Sequence, residues 1–243
     1  MPPRRLKVGS LNCVVVEPVA AELPPERVIV LCHGFGAPGT DLVGLAPAIQ
    51  NAAPDLMART QFLFPAAPLD LAHLGMPGGR AWWELNVMAL QQMVASGRAE
   101  SLRKTTPPGL DAARAALTET IQLWSESTGV PLSRFVLGGF SQGAMVTTDV
   151  TLHLSEATAG LTILSGTLLC EDEWSRLAAA RPGLPVFISH GSYDPVLPPA
   201  GAEALRDLFT AAGCQVSYTS FPGSHEIPAE VLEAWLTFLS ERC

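Results

Sequence analysis

A serine hydroxyl becomes a working nucleophile only when a base takes its proton, and the base works best when a carboxylate orients it. The pentapeptide Gly139-Phe140-Ser141-Gln142-Gly143 could present such a serine. It has the form G-x-S-x-G and follows the apolar run Phe135-Val136-Leu137, the pattern of a tight strand-to-helix turn that holds a hydroxyl out into solvent. Glycine suits the places two before and two after Ser141, because a Cβ there would meet the neighbouring strand or helix. Five residues with three fixed recur by chance, so the reading rests on partners further along the chain.

On a strand–turn–helix scaffold the order is serine, then acid, then histidine. Of the five histidines (His33, His73, His153, His190 and His225), only His190 and His225 follow both the serine and a candidate acid. His190 falls inside a predicted strand end. His225 sits in the turn-rich stretch Phe221-Pro222-Gly223-Ser224-His225-Glu226, between the last strand and the last helix, and is the expected base. The acid should follow a late strand. Asp194, in His190-Gly191-Ser192-Tyr193-Asp194-Pro195, has that place, with Pro195 fixing the backbone behind it. Asp172, beside Glu171 and Glu173 at a helix start, reads as dipole compensation. Asp149 and Asp207 fall on predicted helices and read as solvated faces, and Glu226 reads as surface.

Charge that develops on an attacked carbonyl oxygen needs backbone N–H donors aimed at it. One is expected from Gln142, directly after the serine at a helix start. The other is expected from Phe35, in the glycine-bearing loop His33-Gly34-Phe35-Gly36 after an early strand. His33 and His190 are expected to fix their loops by hydrogen bonds. Trp82, Trp83, Leu74 and Met76, together with Met88 and Met93, are candidates for an apolar substrate pocket, with the two tryptophans foremost.

The elements that must position these groups alternate. Short apolar runs at Arg27 to Cys32, Thr60 to Phe64, Arg134 to Leu137, Leu161 to Leu164, Pro185 to Ser189 and Gln215 to Phe221 read as strands buried on both faces. Helical patterns intervene at Asp41 to Ala52, Gly109 to Ser127, Gln142 to Leu154, Asp172 to Ala180, Pro199 to Ala212 and Pro228 to Leu239. The expectation is an α/β fold: a mainly parallel central sheet with helices on both faces, and an antiparallel N-terminal edge strand within Leu6 to Val16. Residues 65–108 break the alternation. They concentrate Pro, Gly, Met and Trp around a short helical pattern near Asn86 to Ala95, and read as an excursion over the carboxyl edge of the sheet, where ligands bind in such folds. Residues 1–243 are expected to form a single domain.

Composition narrows the partners. Of 243 residues, 48% are hydrophobic and 16% charged, enough for a large core. A formal net charge of −8, with no basic cluster beyond Arg4-Arg5-Lys7, argues against nucleic acid. No apolar run approaches the ~20 residues of a membrane span, and no h-region follows the basic N-terminus, so a cytoplasmic setting without integral membrane association is expected. Five dispersed cysteines read as reduced thiols, with Cys243 the most exposed, and no His/Cys spacing suggests a metal site. Nothing in the sequence signals an oligomeric interface.

The motifs resemble those of the phospholipase/carboxylesterase family, which includes acyl-protein thioesterases. Leu31-Cys32-His33-Gly34-Phe35-Gly36 is similar to its L-H-G-L-G loop, Gly139 to Gly143 to its G-F-S-Q-G elbow, and Leu164-Ser165-Gly166 to its L-S-G strand end. His190-Gly191 with Asp194-Pro195-Val196 resembles H-G-x-x-D-x-V, and Arg80-Ala81-Trp82-Trp83-Glu84 resembles R-x-W-[FY]-D. The likeness runs over nearly the whole chain and implies an α/β-hydrolase fold and hydrolysis of carboxylic esters, lysophospholipids or acyl thioesters, with no cofactor. Phe35 in place of leucine, Ala144 in place of glycine and Trp83-Glu84 in place of an aromatic–Asp pair are departures; the first is expected to shape acyl-chain preference. Two alternatives stand beside this one. A dienelactone-hydrolase-like enzyme shares the architecture but generally carries cysteine where this chain has Ser141. A non-catalytic hydrolase-fold binding protein tends to lose a triad member, whereas all three are in place here.

Overall fold

A computed structural model describes residues 2–20 and 22–242 of the chain; Cys243, expected to be exposed, lies outside the described residues. Its centre is an eight-stranded sheet in the order β1-β2-β4-β3-β7-β8-β9-β10. The strands are β1 (Arg4–Val8), β2 (Leu11–Val16), β3 (Arg27–Cys32), β4 (Thr60–Pro65), β7 (Phe135–Phe140), β8 (Gly160–Leu164), β9 (Pro185–Gly191) and β10 (Gln215–Phe221). From β4 through β10 every pairing is parallel, while β1 pairs β2 and β2 pairs β4 antiparallel. The expected N-terminal edge strand is thus a hairpin. Gly9 and Ser10 turn the chain back on itself, dividing the Leu6 to Val16 stretch between two strands.

Both faces of the sheet are covered, and strand periodicity shows it. Val28, Val30 and Cys32 of β3 enter one apolar cluster, with α4 (Leu110–Thr128), α5 (Gln142–His153), α6 (Glu171–Ala178) and α7 (Ala200–Ala211). Ile29 and Leu31 enter the other, with α1 (Leu45–Ala52), α2 (Pro54–Met57) and α8 (Ala229–Arg242). Successive side chains of a strand point to opposite faces, so a doubly covered strand must be apolar throughout. Helix α5 is itself buried nearly all round. Its Asp149, expected on a solvated face, is buried, accepting from the indole Nε1–H of Trp174 at 2.9 Å and the Arg114 guanidinium at 2.8 Å. Burial raises the Asp149 carboxyl above the ordinary range, against the pull of Trp174, Arg114 and His153.

The excursion carries its own small framework: a two-stranded ribbon of β5 (Leu69–Asp70) and β6 (Arg80–Ala81), then α3 (Val87–Ala95) and a 3₁₀ turn at Ala99–Lys104. Asn86 caps α3 by accepting from the Ala89 amide.

The chain leaves β3 for β4 on one side, and β7 flanks β3 on the other. Loops after β3 and β7 therefore part at a topological switch point, where open α/β sheets form a crevice. Close packing there is extreme. A Cβ built on Gly143, at the start of α5, would lie 2.0 Å from the Cys32 carbonyl oxygen at the end of β3. Gly143→Ala is therefore expected to destabilise the protein by about 3 kcal/mol or more in urea unfolding, since rigid backbone atoms would have to move.

Candidate active site

Ser141 joins β7 to α5 with φ 55° and ψ −119°, a conformation that residues with a Cβ rarely adopt. The surroundings over-determine it. The Ser141 amide donates to the Leu164 carbonyl at 2.9 Å, and the Ser141 carbonyl accepts from the Ala144 and Met145 amides of the first turn of α5. The strain is thus held between β8 on one side and a helix on the other, and the hydroxyl is left at the rim of a cavity.

Asp194 and His225 come from the loops after β9 and β10. The His225 imidazole donates from Nδ1 to Asp194 Oδ2 at 2.6 Å, and its ring lies 4.7 Å from that of Phe140. His190 Nε2 lies 3.2 Å from Asp194 Oδ2, while Oδ1 accepts the Val196 and Leu197 amides at 2.8 and 2.9 Å. Burial by itself would raise this carboxyl. The hydrogen bonds from His190, His225 and the Leu197 amide prevail and hold it well below the usual carboxylate range. Asp194 is therefore an acceptor only, which makes Nδ1 of His225 the donor and leaves Nε2 to the cavity. The two loops are stitched together: Ser192 and Tyr193 donate their amides to the Phe221 and Gly223 carbonyls. Gly191 faces the Ser224 carbonyl so closely that a Cβ would come within 2.1 Å of it.

The loop after β3 is fixed by His33, as expected from its sequence position. The Ala67 amide donates to His33 Nε2 at 3.0 Å, so Nδ1 carries the proton and donates to the Gly34 carbonyl at 2.8 Å. Burial pushes the His33 pKa down, which keeps the ring neutral for this double role. His190 donates from Nε2 to the Leu197 carbonyl at 2.8 Å and so ties the acid loop from beneath. In the loop after β3, the Gly36 and Ala37 amides are engaged with the Arg80 and Gly34 carbonyls. The Phe35 and Gln142 amides have no carbonyl partner among the described residues.

One cavity of about 510 Å³ gathers Phe35, Ser141, Gln142 and His225. Trp83 lines it, together with Leu85, Leu90, Leu102, Met145 and Leu169. Trp82, Leu74 and Met76 do not line this cavity. Trp82 is 1% exposed and faces inward, whereas Leu74 and Met76 lie on the turn between β5 and β6, 51% and 38% exposed. Met88 is 66% exposed on the outside of α3. Further wall comes from Thr105 to Pro108, from Asp41 and Glu84, and from Val196 and Leu197, whose neighbour Pro195 was the sequence signal nearest to them.

A profile of the phospholipase/carboxylesterase family matches residues 12–242. This chain belongs to that family. Its members' activity is ester hydrolysis by a serine enzyme, and the chain is a serine hydrolase of that class. Relatives named acyl-protein thioesterase 1 include one from Neurospora crassa, 30% identical over 88% of this chain and 86% of its own length. Another, from Kluyveromyces lactis, is 31% identical over 95% of this chain and 97% of its own. Among solved structures, esterase PE8 superposes with a TM-score of 0.79 at 24% identity, covering 96% of this chain and 99% of that one. A carboxylesterase from Mesorhizobium loti gives 0.76 at 18%, covering 99% and 100%. At those identities the likeness speaks for the fold, which is of the α/β-hydrolase type.

Because folded Asp194 holds its proton less tightly than the unfolded chain does, it contributes stability that is fully present above about pH 4 and is lost progressively as the pH falls from there toward its much lower folded-state pKa. Asp194→Asn is expected to cost roughly 2 kcal/mol at pH 7, with the gap to wild type closing below about pH 4 in urea denaturation run across pH. A gap that stayed constant down to pH 3 would contradict the assignment of a charged, hydrogen-bonded carboxylate.

Proposed function

We propose that Ser141, His225 and Asp194 act as nucleophile, base and orienting acid, with the Phe35 and Gln142 amides as oxyanion donors. What supports this most directly is the 2.6 Å hydrogen bond from His225 Nδ1 to Asp194, in a ring that lines the same cavity as Ser141. His225 Nε2 takes the Ser141 proton as the oxygen attacks the acyl carbon, and Asp194 steadies the imidazolium. The oxyanion collapses, the leaving oxygen or sulfur takes the proton from His225, and the acyl group remains on Ser141. Water, deprotonated by the same ring, then releases the carboxylic acid and restores the serine. The cycle uses no cofactor or metal. It runs within residues 1–243 as one α/β-hydrolase unit, with the 65–108 excursion as the wall of the site. The free thiols of Cys13, Cys32, Cys170 and Cys214 fit a reducing, cytoplasmic setting, and among the described residues no helix is long and apolar enough to cross a membrane.

The substrate we infer is an ester or thioester with an apolar acyl group and an uncharged leaving group. The cavity wall is mostly apolar; its only charged side chains at neutral pH are the exposed carboxylates of Asp41 and Glu84, with no Lys or Arg. Thioesters are included because the relatives from Neurospora crassa and Kluyveromyces lactis are named for acting on them. An anionic leaving group would meet two like charges at the rim, whereas a neutral one would not.

Ser141→Ala and His225→Ala are each expected to lower kcat at least about 10³-fold on a neutral p-nitrophenyl ester and to abolish fluorophosphonate labelling; labelling that persisted in Ser141→Ala would remove this serine from the mechanism. The double variant Asp41→Asn, Glu84→Gln should raise kcat/KM for an anionic ester several-fold at low salt and leave a neutral ester unchanged, with added salt shrinking the difference.

A further inference from the structure

The side chain of Gln142 is buried and both of its polar ends are spent on one short stretch of the excursion. Oε1 accepts the Trp82 amide at 2.9 Å, and Nε2 donates to the Trp83 carbonyl at 2.9 Å. The same stretch grips the loop after β3. The Trp82 indole donates from Nε1 to the His33 carbonyl at 3.0 Å. The Arg80 carbonyl accepts the Gly36 amide at 2.9 Å, and the Arg80 amide donates to the Ala37 carbonyl at 3.1 Å. Arg80 is in turn anchored by its guanidinium to the Ala67 and Pro68 carbonyls, beside the Ala67 amide that holds His33.

Building on the oxyanion roles proposed above, we propose that Arg80–Trp83 is a brace setting the distance and angle between the two oxyanion donors, with Gln142 and Trp82 as its positioning residues. The donors stand on separate loops, one after β3 and one after β7. β-sheet pairing fixes only the strands beneath them, from Val28↔Phe135 to Cys32↔Gly139. Beyond the strand ends the tie runs through the brace. Gln142 is doubly placed, since its backbone supplies one donor and its own carboxamide clamps the brace. Gly36 and Ala37, next to Phe35, are bonded to Arg80 from the other end, so a shift of residues 80–83 would tilt the Phe35 peptide. Trp82 faces away from the cavity and reaches His33 with its only polar atom. Its conduct matches a strut rather than a substrate contact.

A preorganised pair of donors acts on the transition state far more than on the bound ester. Loosening the brace is therefore expected to lower kcat with little change in KM, unlike damage to a cavity wall. Trp82→Phe deletes the Nε1–H and keeps an aromatic ring in place. Gln142→Met keeps the side-chain length and removes both hydrogen bonds. Each should lose about 10- to 100-fold in kcat on a p-nitrophenyl ester, with KM within about twofold. Affinity for a trifluoromethyl ketone, which forms a tetrahedral oxyanion on the serine, should weaken by a similar factor. Because both residues act through one stretch, the double variant should lose little more than the worse single variant.

The fraction of each variant that reacts with a fluorophosphonate corrects the rates for unfolded protein, so a variant that folds poorly still reports on its folded part. Unchanged kcat, a loss confined to KM, or additive losses in the double variant would overturn the brace. Wild-type protein that failed to react with the fluorophosphonate would instead overturn the serine mechanism itself, so the two failures read differently.

Discussion

The structure depends on how near the end of β3 comes to the start of α5. With a Cβ on Gly143 at 2.0 Å from the Cys32 carbonyl oxygen, and one on Gly139 at 2.5 Å, there is no room for any side chain between strand and helix. That approach lets the turn at Ser141 close over a single residue. It brings the helix N-terminus, with its partial positive charge, against the loop that follows β3. The backbone strain at Ser141 is the local cost of this geometry, sustained by its hydrogen bonds to Leu164, Ala144 and Met145. Without the approach, the strand ends would part and the two candidate donors would face separate solvent.

Polar groups then refine what packing sets. Asp194 is ionised while buried because the His225 ring and the Val196 and Leu197 amides donate to it, and each belongs to the loop it organises or to one beside it. His33 and His190 work alike: each is buried, ties a loop to its neighbour, and leaves the chemistry to other residues. The chain thus employs three histidines about the site in two different ways, separated by whether a ring nitrogen reaches the cavity.

Much of this was legible in the sequence because it rests on local pattern. The strand at Arg27–Cys32 coincides with its apolar run, and α5 begins at the residue after the serine; Gln215–Phe221 is a strand at the expected bounds, but as the edge of the sheet it is mostly half-exposed rather than buried on both faces. What escaped was what depends on register or on distant partners. Trp82 and Trp83 are adjacent in a bend just after β6, and composition cannot tell which of them meets the cavity. The carboxamide of Gln142 finds its partners 60 and 59 residues away, a pairing no local window contains. Asp149 looked solvated because a carboxylate in a helix usually is; its partner Trp174 comes from a different helix. The hairpin of β1 and β2 was hidden because β1 carries Arg4, Arg5 and Lys7 and has little apolar signal of its own, and only Gly9 and Ser10 separate it from β2.

The excursion is attached unevenly. Its first half, through Trp83, is bound to the oxyanion loop and to Gln142 by a series of backbone and side-chain bonds, whereas α3 and the Ala99–Lys104 turn supply apolar wall with few such ties to the elbow. Two kinds of heritable change therefore meet different fates along one stretch of chain. Residues 85–102 can exchange apolar side chains and so redraw the shape of the pocket, while Arg103 to Thr106 are tied to Cys170 and Glu171 at the start of α6. Residues 80–83 cannot do so without unsettling the donors. Selectivity and rate are thus held by consecutive pieces of one loop, and lineages of such a protein can diversify in what they accept while keeping the machinery that acts on it.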